Sequence, residues 1–210
     1  MHLAKFSPDG RRLLWGTYFG GANTEYSETH GLAVDNPGNT YVAVTTKSTG
    51  LATPGAFDTA YNGTGTNCGN YCGDGLIAKF SNSGVLQSAT YFGGTLGDGI
   101  EGVGVDASGN VYIGGATYST NLPMAGGSYQ KTNKGSGVIF GAKCNNSLWR
   151  WFYSSALGRS GGHFVRGLRA DSSGNIFLAG QSKSANFPIL NAFDNSASSG
   201  DDGILVKFRY

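Results

Sequence analysis

Charge is scarce in this sequence: 15 Lys and Arg against 13 Asp and Glu in 210 residues leave a formal net charge of +2. The basic residues are scattered, and so small an excess argues against a nucleic-acid partner. Arg11-Arg12 reads as a solvated hairpin tip. No run of ~18 apolar residues occurs, so no membrane-spanning helix is expected. Met1–Phe6 lacks the apolar stretch of a signal peptide and instead matches an internal strand. That match points to a processed chain, or to a segment of a longer one. Cysteine is limited to three residues and histidine to three, and no second Cys or His pair is at hand to complete a zinc site.

Glycine, in contrast, is abundant at 36 residues, and aromatics make up 12% of the chain. The aromatics argue against disorder, while many glycines between short apolar runs indicate tight turns and strands rather than helices. The chain is long enough for one domain with a substantial core.

The chain repeats itself. Gly31-Leu-Ala-Val-Asp35-Asn-Pro-Gly38-Asn39-Thr-Tyr41 returns as Gly102-Val-Gly-Val-Asp106-Ala-Ser-Gly109-Asn110-Val-Tyr112, and again as Gly167-Leu-Arg-Ala-Asp171-Ser-Ser-Gly174-Asn175-Ile-Phe177. Each copy reads as a hairpin: period-two apolar residues precede the turn and β-favouring residues follow it. In the turn, Asp accepts local backbone N–H groups, Gly takes a positive φ, and Asn is expected to tolerate the same region.

A second hairpin alternates with the first. Its opening strands are marked by Ala4-Lys5-Phe6, Ala78-Lys79-Phe80, Ala142-Lys143-Cys144 and Val206-Lys207-Phe208. Its return strands end in Thr17-Tyr-Phe-Gly-Gly21, Thr90-Tyr-Phe-Gly-Gly94 and the weaker Ser155-Ala-Leu-Gly158. In the last of these hairpins, around Trp149-Arg-Trp151, the register is open by one residue. Loops with Pro54, Pro123 and Pro188 link the hairpins, and Pro confines those segments to loops or edges. Four strands per period of about 65 residues fit a propeller blade better than a β-helix. The expectation is an all-β chain of about three propeller-type blades: an outer hairpin of an incomplete blade at 1–30, blades at 31–101 and 102–166, and an incomplete blade at 167–210. Closed propellers typically have four to eight blades, so either further blades exist or chains combine as a homo-oligomer. Two copies head to tail would make a ring of roughly six blades; a rotation that fails to close would give a fibre.

Thr-Tyr-Phe-Gly-Gly, Ala-Val-Asp-x-x-Gly-Asn-x-Tyr, and Asn-Phe-Pro followed by Ala-Phe resemble the bacterial β-propeller repeat abbreviated SBBP, over nearly the whole chain. The resemblance implies a propeller fold in large modular proteins, usually secreted or at the cell surface. It implies no common enzymatic activity, so no catalytic residue carries over.

Residues with chemical potential are few. Cys68 and Cys72 lie in a loop insertion, where a disulfide is the favoured reading, consistent with an oxidising compartment; free thiols and a metal are the alternatives. Cys144 replaces a Phe of the sister copies and reads as a small buried apolar residue. The Asp-x-x-Gly-Asn turns lack the ligand pattern of a calcium loop, and Asp201-Asp202, with Asp74 at the matching position, reads as a solvated loop. His30, Glu101 and Arg166 occupy one repeat position just before the innermost strand and would converge near a mouth of the central channel, with Asp98 and His163 as a matched pair nearby. They are candidate binding residues, with acid–base chemistry on sugars a lesser alternative. Tyr26, Tyr118, Trp149 and Trp151 are candidate glycan platforms that core packing also explains. The sequence therefore points to an extracellular or cell-surface structural and interaction module, with no cofactor, metal or enzymatic activity expected. A carbohydrate-binding module is the first alternative and a polysaccharide-acting lyase or hydrolase the second.

Overall fold

A computed structural model describes residues 1–27, 30–65, 68, 72–198 and 200–209. Fourteen strands and, among the described residues, no helix make up the chain. The hairpin β1 (His2–Phe6)–β2 (Leu13–Tyr18) stands alone. The first full blade comprises β3 (Glu25–Tyr26), β4 (Leu32–Val34), β5 (Thr40–Thr46), β6 (Asp74–Phe80) and β7 (Leu86–Phe92), with β3 and β4 both pairing along β5. The second blade is β8 (Asp98–Val105), β9 (Val111–Thr117), β10 (Val138–Cys144) and β11 (Trp151–Leu157), and the third is β12 (His163–Ala170), β13 (Ile176–Ser182) and β14 (Asp202–Phe208). All sheet pairings are antiparallel. The innermost strands β8 and β12 begin at Asp98 and His163, ahead of the divisions at 101/102 and 166/167.

The first hairpin turn forms as its residues demand. Asp35 Oδ1 accepts the Asn39 amide (2.7 Å), Oδ2 accepts the Asn39 side-chain NH2 (2.8 Å), and Gly38, at φ 86°, donates its N–H to the Asp35 carbonyl (2.9 Å). The same bonds recur around Asp106 and Asp171. One expectation is corrected. Asn39, Asn110 and Asn175 stay out of the positive-φ region, which the glycines alone occupy in these turns. The Asn is there for its amide, which donates a hydrogen bond to the Asp.

The second hairpin turn closes on Gly10 (φ 70°) and Gly84 (φ 84°). In the third copy Leu148 takes that place at φ 59° and is buried. A β-carbon costs of order 1–3 kcal/mol in that region, and burial of the Leu148 side chain among the residues of the first inter-blade layer offsets it. The register left open in the sequence is settled. Cys144 pairs with Trp151 across a bulge between Lys143 and Cys144, as Phe80 pairs with Leu86 and Phe6 with Leu13.

The core lies between sheets rather than within one. Leu3, Val42, Leu76, Phe80 and Tyr91 form the layer between the β1–β2 hairpin and the first blade. Tyr41, Ile77, Phe92, Ile113, Phe140 and Trp151 fill the next, and Tyr112, Ile139, Leu168, Leu178 and Phe208 the last. Strands β5 and β9 are buried at every residue because both of their faces are covered. Strand β13 alternates buried and open positions because only one of its faces is covered.

Replacing Asp106 with Ala removes acceptors for Asn110 N–H (2.8 Å), the Asn110 amide (2.8 Å) and Tyr112 O–H (2.7 Å). Urea denaturation should show a loss of about 2–3 kcal/mol. Asp171→Ala, with Phe177 in place of the tyrosine and a partly exposed carboxylate, should lose distinctly less. Equal losses would mean that the tyrosine bond contributes nothing.

Candidate functional site

The repeat position shared by His30, Glu101 and Arg166 has a structural cause. Register shifts between Ile100 and Gly102 and between Val165 and Gly167 make Glu101 and Arg166 the bulged residues of β8 and β12. A bulge re-aims its side chain. The structure brings two of the three together: Arg166 Nη1 lies 3.6 Å from Glu101 Oε2, with the Glu101 side chain 2% exposed. His30 joins them through its backbone, bridging in parallel to Gly102 and accepting the Val103 N–H at 3.1 Å. Gly102 also lets the third blade come close: a Cβ there would sit 3.0 Å from Leu168 Cβ. The innermost strands of the first and second blades are thus joined by backbone, and those of the second and third by an ion pair.

Asp98 and His163 are drawn elsewhere. Each opens an innermost strand and reaches the Thr/Ser pair that ends the neighbouring strand. Asp98 Oδ2 accepts Gly94 N–H (2.6 Å) and Ser119 O–H (2.7 Å), and His163 Nδ1 bonds Ser182 Oγ (2.9 Å). Glu25 does the same in the first copy, accepting from Ser48 O–H (2.6 Å), Thr46 O–H (3.1 Å) and Gly21 N–H (3.2 Å). In the first two copies this connector ties the preceding Gly-Gly end to the second strand of the next blade, whereas His163 makes the bond to the second strand. Glu25 was not among the residues singled out from the sequence. The periodic signal was present in Thr46-Lys-Ser48, Thr117-Tyr-Ser119 and Ser182-Lys-Ser184.

The connector explains the Gly-Gly motif. A Cβ on Gly93 would collide with Asp74 and lie 3.1 Å from Asp98 Oδ2. Asp74 is fully buried and accepts the Asn62 N–H at 2.6 Å, as Asp202 accepts the Ser198 N–H at 2.9 Å. Burial pushes the Asp74 carboxyl up to about 7, with the charge of Asp98 adding to it against the Asn62 bond. Burial also pushes Asp98 upward and holds His163 down at about 4.

Among the described residues no group of three or more His, Cys, Asp or Glu is arranged to hold a metal ion. Cys68 and Cys72 form a disulfide. Cys144 is a free, fully buried thiol whose pKa burial raises. Of the candidate platforms, Trp151 is core, 4.4 Å from Phe92, whereas Trp149 is 54% exposed. Lys47 lies over Tyr26 at 5.9 Å, and Tyr118 packs against Gly137.

The two ends of the array are open. Leu32 and Val34 on β4 are 56% and 54% exposed, although Val103 and Leu168, the counterparts of Leu32, are buried and Val105 and Ala170, those of Val34, are half-buried. At the other end Phe177, Ala179 and Leu205, the last 78% exposed, line a shallow recess with His30, Gly167 and Arg169. In the first two blades the Pro-containing loop runs along the outermost strand, with Thr53 N–H on the Ala89 carbonyl (2.9 Å) and Ser154 N–H on the Ala125 carbonyl (2.9 Å). Among the described residues no strand lies beyond β14, and Leu190 and Phe193 of the corresponding loop are exposed.

Compared with known proteins, residues 14–52 match the family described as SBBP, beta-propeller repeat. No curated protein matches the chain.

The titrating groups act in opposite senses. Asp74, raised above its ordinary 3.8, contributes stability below about pH 4 that is lost as pH rises through 7. His163, lowered from 6.5, contributes stability above pH 6.5 that is lost as pH falls through 4. Asp74→Asn should therefore gain on the wild type between pH 4.5 and pH 8 by on the order of 2–4 kcal/mol in urea denaturation. An unchanged difference at both pH values would refute the burial of an ionising Asp74.

Proposed function

We propose that this chain, which carries an SBBP-type β-propeller repeat at residues 14–52, is a non-catalytic structural and interaction module of an extracellular or cell-surface protein that self-associates through its open ends. The observation that carries the reading is the pair of unmatched apolar faces. Leu32 and Val34 present the kind of surface that Leu168 and Leu178 present to the second blade, and Phe177, Ala179 and Leu205 present the kind of surface that receives it. Exposed apolar faces of this kind mark interaction surfaces. A head-to-tail contact buries one against the other, and each buried leucine contributes about 1.5–3 kcal/mol.

The Cys68–Cys72 disulfide supports an oxidising, extracellular setting, and no helix among the described residues is long and apolar enough to cross a membrane. The axial residues support a structural role, since Glu101 is sealed from solvent beside the Arg166 guanidinium. A general acid or base has to reach a substrate proton, and that pair instead clamps two blades.

Light scattering across a concentration series should show a mass above the monomer, reduced to the monomer by either Leu32→Glu or Leu205→Glu. Mixing the two variants should restore a dimer, since one intact contact remains between them. A wild-type monomer at roughly 100 µM, or single variants that associate as the wild type does, would rule out the head-to-tail contact.

A further inference from the structure

The third copy of the outer hairpin departs from its sisters at one turn, and the departure has a surface consequence. Where Gly10 and Gly84 close the equivalent turns, Leu148 holds a left-handed backbone at φ 59° with its side chain in the core. Its carbonyl accepts the Phe57 N–H at 3.2 Å, which fastens the turn to the loop of the preceding blade. The residue that follows, Trp149, is 54% exposed. A large indole left in solvent by a strained turn needs an account, because strained backbone concentrates at binding sites.

Trp149 forms one wall of an open groove of about 460 Å3 between the first and second blades. The Thr53–Ala56 stretch of the first blade's loop, Lys79, Gln87 and Ser88 of β6 and β7, and Asn146 of the second blade also line it. The Ser88 hydroxyl is shielded from solvent and has no hydrogen-bond partner among the described residues. Lys79 is partly engaged, its ammonium lying 5.5 Å from the centre of the Tyr41 ring. Among the described residues no acidic side chain lines the groove.

We infer that this groove is a carbohydrate-binding site, in which the Trp149 indole stacks on one face of a neutral hexopyranose and Gln87 and Asn146 hydrogen-bond its hydroxyl groups. A pyranose ring offers an apolar C–H face to an aromatic plane and a rim of hydroxyls to amide and hydroxyl side chains. An apolar ligand would leave the Gln87 amide facing it unused, and a polyanion would meet a single, partly engaged cation. The groove lies away from His30, Glu101 and Arg166, so it is separate from the axis to which sequence spacing pointed. The inference shares with the proposed function only the idea that blades present loops; it requires no self-association.

The 210-residue chain is titrated with cellohexaose, laminarihexaose, maltohexaose, mannohexaose, xylohexaose and chitohexaose, read by tryptophan fluorescence and calorimetry. At least one should bind with a Kd of roughly 10 µM to 1 mM. Trp149→Ala should weaken that binding at least about tenfold with an unchanged melting temperature, Trp149→Phe should recover part of it, and Gln87→Ala with Asn146→Ala should weaken it several-fold. The pair of polar variants, on exposed or loop positions, decides the matter if Trp149→Ala fails to fold. Binding by the Leu32→Glu variant equal to that of the wild type keeps the outcome independent of self-association. No binding of any hexasaccharide at about 5 mM, or binding indifferent to both sets of variants, overturns the inference.

Discussion

Each sheet of this molecule depends on another sheet lying against its face. No blade holds a core of its own: the buried side chains sit in three layers between sheets. Such stacking requires each face to match the next in depth. Gly102, Gly104 and Gly114 make the room that Leu168 and Leu178 fill, since a Cβ at any of the three would come within 3.1 Å of one of those leucines. Where a neighbour is present, strands are buried on both sides and their apolar runs are continuous. Where it is absent, the same repeat positions stand open to water, and that is the physical origin of the exposed Leu32 and Leu205.

Apolar contact between flat sheets is non-directional, so something else must set their angle and spacing. The connector formed by Glu25, Asp98 and His163 in successive copies does this at one end of each innermost strand. The bulged Glu101 and Arg166, with the His30 backbone, do it at the axis. The connector position accepts a carboxyl group in two copies and an imidazole in the third because its requirement is a hydrogen-bonding group facing a hydroxyl. A buried carboxylate there is costly unless bonded, and Asp98 meets that cost with an amide and a hydroxyl.

Repetition and departure from it divide the labour. The repeated elements (the Asp turn, the Gly-Gly end, the Lys that stacks over Tyr41, Tyr112 or Phe177) build the scaffold. The departures sit in loops and turns: the Cys68–Cys72 insertion, the Leu148 turn with its exposed Trp149, and the uncovered loop of the third blade. Variable parts confined to loops and turns on a repeated scaffold follow the usual division between framework and functional surface.

Local rules were enough for much of this. Both hairpin types, their turns and the order of strands were legible because a turn is decided by four or five adjacent residues and a strand by period-two burial. The buried Cys144 and the bridged Cys68 and Cys72 were legible from their places in the repeat. Other features depend on residues far apart in the chain. That Asp98 and His163 leave the axis for the connector follows from Ser119 and Ser182, about twenty residues downstream. The pairing of Glu101 with Arg166, the separation of core Trp151 from exposed Trp149, and the groove between two blades required the stacking itself. The sequence by itself determined the repeating unit, because hydrogen bonding along the chain is local. Tertiary structure decided which side chains meet, because packing between sheets brings together residues that no local spacing relates.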